Sequence, residues 1–254
     1  MSDKRKRMVI KLGTGILTEP SGNSLAISQF ERLTAEVAEL VQAGLECILV
    51  SSGAVGAGLM RLGLTERPKD LETIQACAAI GQSRLMHLYQ TVFARQRLHV
   101  AQLLLTHQDL DSRTRYQNAR NTLERLLWFR TVVPIINEND SVAVEELRFG
   151  DNDRLSAEVA ILCRADRLVI LTSVEGLLDS EGVVVPEVRD VDAVADLANR
   201  KTGVYSRGGM VSKLQAVKLA LAAGIPGVVA SGFQPGVLRR IADGEGVGTR
   251  FLLK

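Results

Sequence analysis

Short, β-branched apolar runs recur along the chain, and a stretch of helical periodicity follows most of them. Such runs leave no polar face for solvent, so a sheet built from them must be covered by helices on both sides. Met8–Leu12, Cys47–Val50, Val100–Leu105, Val132–Ile136, Leu168–Leu171 and Gly227–Ala230 read as these strands. Between them, Phe30, Leu33, Val37, Leu40 and Val41 have helical spacing, behind a capping box expected from Ser28 and Glu31. Further helices are expected over Leu71–Arg97, Arg113–Phe129, Asp153–Cys163 and Gly236–Ala242. Met210, Leu214, Val217 and Leu221 mark one face of another, which Gly224 ends with Pro226 beyond. Gly182–Val185 and Ser141–Phe149 read as hairpins at the sheet's edge. No internal repeat or low-complexity linker interrupts the pattern. Residues 1–254 are therefore expected to form one domain, a three-layer αβα sandwich with a mostly parallel central sheet.

Composition removes several functional classes. The net charge of +2 leaves no footprint for nucleic acid or an anionic membrane. No signal-peptide h-region and no long uncharged apolar stretch occurs. The basic cluster Lys4-Arg5-Lys6-Arg7 reads as a solvated tail rather than a targeting signal. Cys47, Cys77 and Cys163 are widely spaced in apolar surroundings, which suits buried free thiols and a cytoplasmic location. With no CxxC, HExxH or histidine cluster, a protein-held metal is not expected. His87, His99 and His107 carry no nucleophile signature and are assigned surface or core roles.

Two lysine-glycine loops carry the chemistry. The first strand delivers Lys11 into Leu12-Gly13-Thr14-Gly15. Far along the chain, Arg207-Gly208-Gly209-Met210-Val211-Ser212-Lys213 opens a helix with paired glycines. Bare backbone N–H groups and the helix dipole favour an anion there, and a lysine on the first turn reaches the same anion. Together the loops suit a polyphosphate gripped from two sides. Neither fits GxxxxGK[ST] or GxGxxG, and each alone also reads as an ordinary turn at a strand end.

Open α/β sheets bind ligands beyond the carboxyl ends of their strands. Here those ends are Lys11-Leu12-Gly13-Thr14, Ser51-Ser52-Gly53, Asn137-Glu138-Asn139-Asp140, Thr172-Ser173 and Ala230-Ser231-Gly232. A second acid-amide group, Gly150-Asp151-Asn152-Asp153, follows the expected hairpin. Asx turns or a helix N-cap at Asp153 would explain these residues singly, but together they bring carboxylates and amides to one rim.

In order and spacing, these pieces resemble the amino acid kinase family, and within it the branch that phosphorylates glutamate. The resemblance also takes in Gly81-Gln82-Ser83-Arg84-Leu85 and Asn118-Ala119-Arg120, and it spans essentially the whole chain. It implies ATP with Mg²⁺ as phosphoryl donor, the metal held mainly by the ATP phosphates. L-glutamate is the implied acceptor and γ-glutamyl phosphate, on the way to proline, the implied product. Carried over, Lys11 and Lys213 would neutralise the transferring group and Asp153 would hold both lysines. Ser52, Gly53, Asn137, Asp140, Asp151 and Asn152 would contact glutamate. Lys11, Gly13, Thr172, Ser173 and the run Arg207, Gly208, Gly209, Met210, Val211, Ser212 and Lys213 would line the nucleotide.

The residue types agree with that chemistry. An acceptor carboxylate with a pKa of about 4.3 is already ionised, so no general base is required. Two departures from the family stand on the nucleotide side: Ser173 where Asp is usual, and Tyr205-Ser206-Arg207 ahead of Gly208. Another acceptor, such as aspartate, carbamate or UMP, and a non-catalytic nucleotide or amino-acid sensor are the alternatives. The resemblance further implies feedback inhibition by L-proline and a homo-oligomer, dimer or tetramer. The C-terminal PUA domain of many relatives is not expected within these 254 residues.

Overall fold

The computed structural model describes residues 5–19, 25–64, 66, 68–143, 152–198 and 209–254. Its strands are β1 (Arg7–Leu12), β2 (Glu46–Ser51), β3 (His99–Leu105), β4 (Val132–Glu138), β5 (Arg167–Thr172), β6 (Glu187–Val188), β7 (Gly227–Ser231) and β8 (Thr249–Phe251). They form one sheet in the order β3-β4-β2-β1-β5-β7-β8-β6. The six strands from β3 to β7 run parallel, β8 joins β7 antiparallel, and β6 lies parallel to β8.

Along the chain the helices are α1 (Thr14–Leu17), α2 (Ile27–Gln42), α3 (Ala54–Arg61), α4 (Leu71–Arg95), α5 (His107–Asp111) and α6 (Arg113–Trp128). They continue with α7 (Asn152–Leu162), α8 (Ala195–Ala198), α9 (Gly209–Ala222) and α10 (Val237–Ala242). Alternate residues of each central strand feed opposite layers, as a period of two requires. Ile10, Leu12, Leu49 and Val169 pack with Phe30, Val37, Leu85, Phe93 and Leu238 from α2, α4 and α10. Val9, Ile48, Val50, Leu168 and Ile170 pack with Leu123, Val159, Leu214 and Val217 from α6, α7 and α9. Two buried faces explain why the strands read as unbroken apolar runs.

Some expectations change. No side-chain capping box opens α2: Ala26 is its N-cap, without a side-chain bond, and Ser28 lies inside the helix. The Glu31 carboxylate pairs instead with Arg95 of α4, so a tertiary partner takes the group that the local motif would use. β6 and β8 went unforeseen because strands of two and three residues carry little periodicity. Around Gly182 the hairpin reduces to a single bridge, Leu178 with Val184. Of the hairpin expected at Ser141–Phe149, residues 144–149 lie outside the described residues. All three cysteines are buried free thiols, and burial pushes Cys47 and Cys163 up to about 12. Among the described residues no helix is long and apolar enough to cross a membrane.

Arg97, Arg130 and Arg164 have left-handed backbones with φ of 58°, 63° and 53°. Each follows a helix at the position glycine normally fills, at a cost of about 1 kcal/mol for a side chain with a Cβ.

Gly58 of α3 and Gly81 of α4 let their backbones touch. A Cβ on Gly58 would sit 1.8 Å from the Cys77 carbonyl oxygen, and one on Gly81 1.8 Å from that of Ala54. Neither neighbour is a side chain that could swing aside. We expect Gly81→Ala to lose about 3 kcal/mol or more in urea unfolding, at or beyond the upper end of ordinary overpacking. Gly56→Ala, in the same α3 but facing open space, should be neutral or stabilising by up to about 1 kcal/mol. Equal unfolding midpoints for the two variants would contradict the close crossing.

Candidate active site

Three elements meet at the carboxyl end of the sheet. β1 supplies Lys11, the first turn of α7 supplies Asp153, and the first turns of α9 supply Ser212 and Lys213. The Asp153 carboxylate lies between the two ammonium groups, with Lys11 Nζ 2.7 Å from Oδ1 and Lys213 Nζ 3.1 Å from Oδ2. Ser212 Oγ donates to Oδ2 at 2.6 Å, and Lys213 Nζ also donates to the Gly209 carbonyl at 3.2 Å. Lys11, Asp153 and Lys213 are 7, 2 and 5% exposed. Burial by itself would push the Asp153 carboxyl up. The two ammonium charges and the Ser212 hydroxyl outweigh it and bring it down to about 2 from an ordinary 3.8. Asp153 is thus ionised at neutral pH.

Beside the triad lies an amide rim. Asn152 Nδ2 donates to the Ser51 carbonyl (2.9 Å), Ser52 Oγ (2.9 Å) and Asn137 Oδ1 (3.0 Å), so one of its two hydrogens is shared. Asn137 Oδ1 also accepts from the Glu138 N–H, and its Nδ2 donates to Gln82 Oε1 of α4 at 2.8 Å. Asn152 Oδ1 is buried and has no hydrogen-bond partner among the described residues. A buried acceptor left this way is costly unless a ligand donates to it. Gly53, with φ of 104°, turns the chain from Ser52 into α3. Asp140 stands half-buried in the turn after β4.

On the other side of β1, Gly13 donates to the Leu171 carbonyl, and a Cβ there would lie 3.3 Å from that oxygen. β5 ends in buried Thr172, followed by exposed Ser173, whose hydroxyl would be 3.8 Å from a Cβ on Gly15. Gly209, Met210 and Val211 open α9, Val211 with its side chain exposed.

The sequence-expected residues Lys11, Asp153 and Lys213 are therefore in direct contact, as are Ser52, Asn137 and Asn152. Asp151, Arg207 and Gly208 lie outside the described residues. Asp153 does not cap α7 from outside, because Asn152 already belongs to the helix. Ser212, expected against the nucleotide, bonds the carboxylate between the lysines. The sequence alone assigns no role to Gln82, although it stands within Gly81–Leu85, nor to Tyr89, whose buried hydroxyl meets Ser51 Oγ at 2.8 Å and steadies the end of β2. Neither carries a local signal, since their partners come from other elements.

Residues 6–231 match the amino acid kinase family. Glutamate 5-kinase of Carboxydothermus hydrogenoformans is 46% identical over 256 residues, covering 98% of this chain and 68% of that protein. Glutamate 5-kinase of Moorella thermoacetica is 48% identical over 254 residues, covering 97% and 67%. The chain thus spans about two thirds of the length of these relatives. UMP kinase from Bacillus anthracis superposes with a TM-score of 0.63 at 18% identity, covering 97% of this chain and 96% of that one. N-acetylglutamate synthase from Neisseria gonorrhoeae, complexed with coenzyme A and N-acetyl-glutamate, gives 0.71 at 14% identity, covering 98% and 60%. These two likenesses establish the shared fold.

Asp153→Asn leaves two buried ammonium groups without their carboxylate and should cost about 3–5 kcal/mol at pH 7. A carboxyl lowered on folding stabilises fully above its unfolded pKa and loses that contribution as pH falls through the folded value. The gap between wild type and variant in urea unfolding should therefore narrow from about pH 4 toward about pH 2. A gap constant across that range would refute the charge balance described.

Proposed function

The chain belongs to the amino acid kinase family, and from that premise we infer that it transfers the γ-phosphoryl group of ATP to the side-chain carboxylate of L-glutamate. The product is L-glutamyl 5-phosphate, the first intermediate of proline biosynthesis. One observation carries the reading of the site: a buried Lys11–Asp153–Lys213 triad beside an amide rim that has an unfilled acceptor.

The attacking group is already an anion, so the barrier lies in bringing two anions together in line rather than in removing a proton. Lys11 and Lys213 would approach the phosphoryl oxygens from two sides, stabilising charge as it shifts from donor to acceptor. Asp153 would not touch the reacting atoms. It would keep both ammonium groups aimed at the reacting group. The rim would orient glutamate, with Asn152 Oδ1 accepting from the substrate ammonium and Ser52, Gly53, Asn137, Asp140 and Asp151 beside it. Gly13, Thr172, Ser173 and residues 207–213 would line the nucleotide.

No group of three or more His, Cys, Asp or Glu side chains among the described residues suits a metal ion. Two ammonium groups at the centre also repel one. Mg²⁺ would accordingly arrive on the ATP phosphates, as part of the substrate. Proline shares the α-carboxylate and amine of glutamate, which supports inhibition competitive with glutamate at the rim. A homo-oligomer and a cytoplasmic location complete the reading, the latter supported by three buried free thiols.

Turnover with MgATP and L-glutamate should yield ADP and an acyl phosphate trapped by hydroxylamine; folded protein with no such product would sink the reading. Lys213→Ala should lower kcat about 10²–10³-fold with little change in glutamate KM. Asn152→Ala should instead act chiefly on glutamate KM. Steady-state kinetics separate the two, and the reverse pattern would exchange their roles.

A further inference from the structure

A second charged site lies at the opposite pole of the sheet. A cavity of about 500 Å³ opens there, within the size range of small-molecule sites, lined by five arginines and two glutamates. Arg7 and Glu46 begin β1 and β2, and Arg130 and Arg164 stand just ahead of β4 and β5. The length of β1, roughly 15 Å at about 3.3 Å per residue, separates this cavity from the Lys11–Asp153–Lys213 triad.

The carboxylates are already engaged by one arginine. Arg7 donates to Glu46 at 2.8 Å, to both oxygens of Glu124 at 2.7 and 3.0 Å, and to the Cys163 carbonyl. The side chains of Arg5, Arg120, Arg130 and Arg164 have no hydrogen bond or ion pair among the described residues, yet all four line the same space. Arg120 and Arg164 are close enough to help hold the Glu124 carboxyl below its usual range, along with Arg7. Arg130 and Arg164 also occupy left-handed positions that would suit glycine better. Attraction to the carboxyl ends of α6 and α7 favours a cation at those two places. It accounts for neither Arg5 nor Arg120, nor for a cavity between them. Trp128, 67% exposed, also lines the cavity, with the Arg125 guanidinium 5.6 Å from its ring centroid.

We propose that this cavity binds a compact polyanion of phosphate chemistry, a nucleoside polyphosphate or inorganic polyphosphate, at a site separate from the reaction centre. Several unpaired guanidinium forks converging on one space match multiple phosphate oxygens, each able to accept paired N–H bonds. The proposal is independent of the activity assigned above.

Trp128 is the only tryptophan in the chain, so its emission reports on this cavity. Titration with tripolyphosphate, and separately with ATP and GTP, should give a saturable change in that emission. Sodium chloride at equal ionic strength should not. The double variant Arg130→Gly/Arg164→Gly should bind at least tenfold more weakly, while its ligand-free melting temperature holds or rises, because glycine suits both backbones. Arg120→Ala should weaken binding in the same direction. Nucleotides binding more tightly than tripolyphosphate would uphold the proposal with the base against Trp128; equal affinities would uphold it with inorganic polyphosphate. No saturable change, a change reproduced by chloride, or unaltered affinity in the double variant would overturn it.

Discussion

A carboxylate buried between two ammonium groups governs how this molecule is assembled. Asp153 cannot be ionised in that place without Lys11 and Lys213, and neither lysine can be buried there without Asp153. Three elements are consequently tied at one point: the central strand and the amino ends of two helices on one face of the sheet. Two lysines fixed on one carboxylate are held in place before any substrate arrives, and under the proposed reading they would meet a phosphoryl group with little reorganisation.

The amide rim is joined to this balance through the chain itself. Asn152 adjoins Asp153, so the residue that gathers Ser51, Ser52 and Asn137 is fixed by the same turn of α7 that carries the carboxylate. Gln82 then links Asn137 to α4, and the glycine crossing locks α4 against α3, which begins directly after Ser52-Gly53. The two halves of the site thus share one framework. The arginine cavity belongs to the other ends of the same strands, so a ligand there would press on β1 and β2 from below.

Much of this was legible in the residues. Unbroken apolar runs announced strands buried on both faces, and polar or glycine residues at every strand end located the rim. The lysine-glycine loops pointed to Lys11 and Lys213 jointly, since either loop alone also reads as an ordinary turn at a strand end. What stayed hidden depended on partners distant in sequence. Glu31 had a local use as a cap and took a tertiary one with Arg95. Ser212 faced an anion as expected, but the anion is the protein's own. Gln82 and Tyr89 act only through side chains that other elements bring to them. β6 and β8 were too short to leave a period.

The order of the sheet has a consequence for the chain as it is being made. β1 is synthesised first but sits centrally, with β2 on one side and β5 on the other, the latter more than 150 residues downstream in register, from Met8 to Arg167. Its lysine meets Asp153 and Lys213 only after both have left the ribosome. Until then Lys11 belongs to a strand with one open edge, and the early β1–β2–α2 segment must wait in a partly exposed state. Nonlocal pairing of this kind slows folding and lengthens exposure to aggregation. A nascent chain stalled ahead of Lys213 would carry an unclosed site however well its first half had folded.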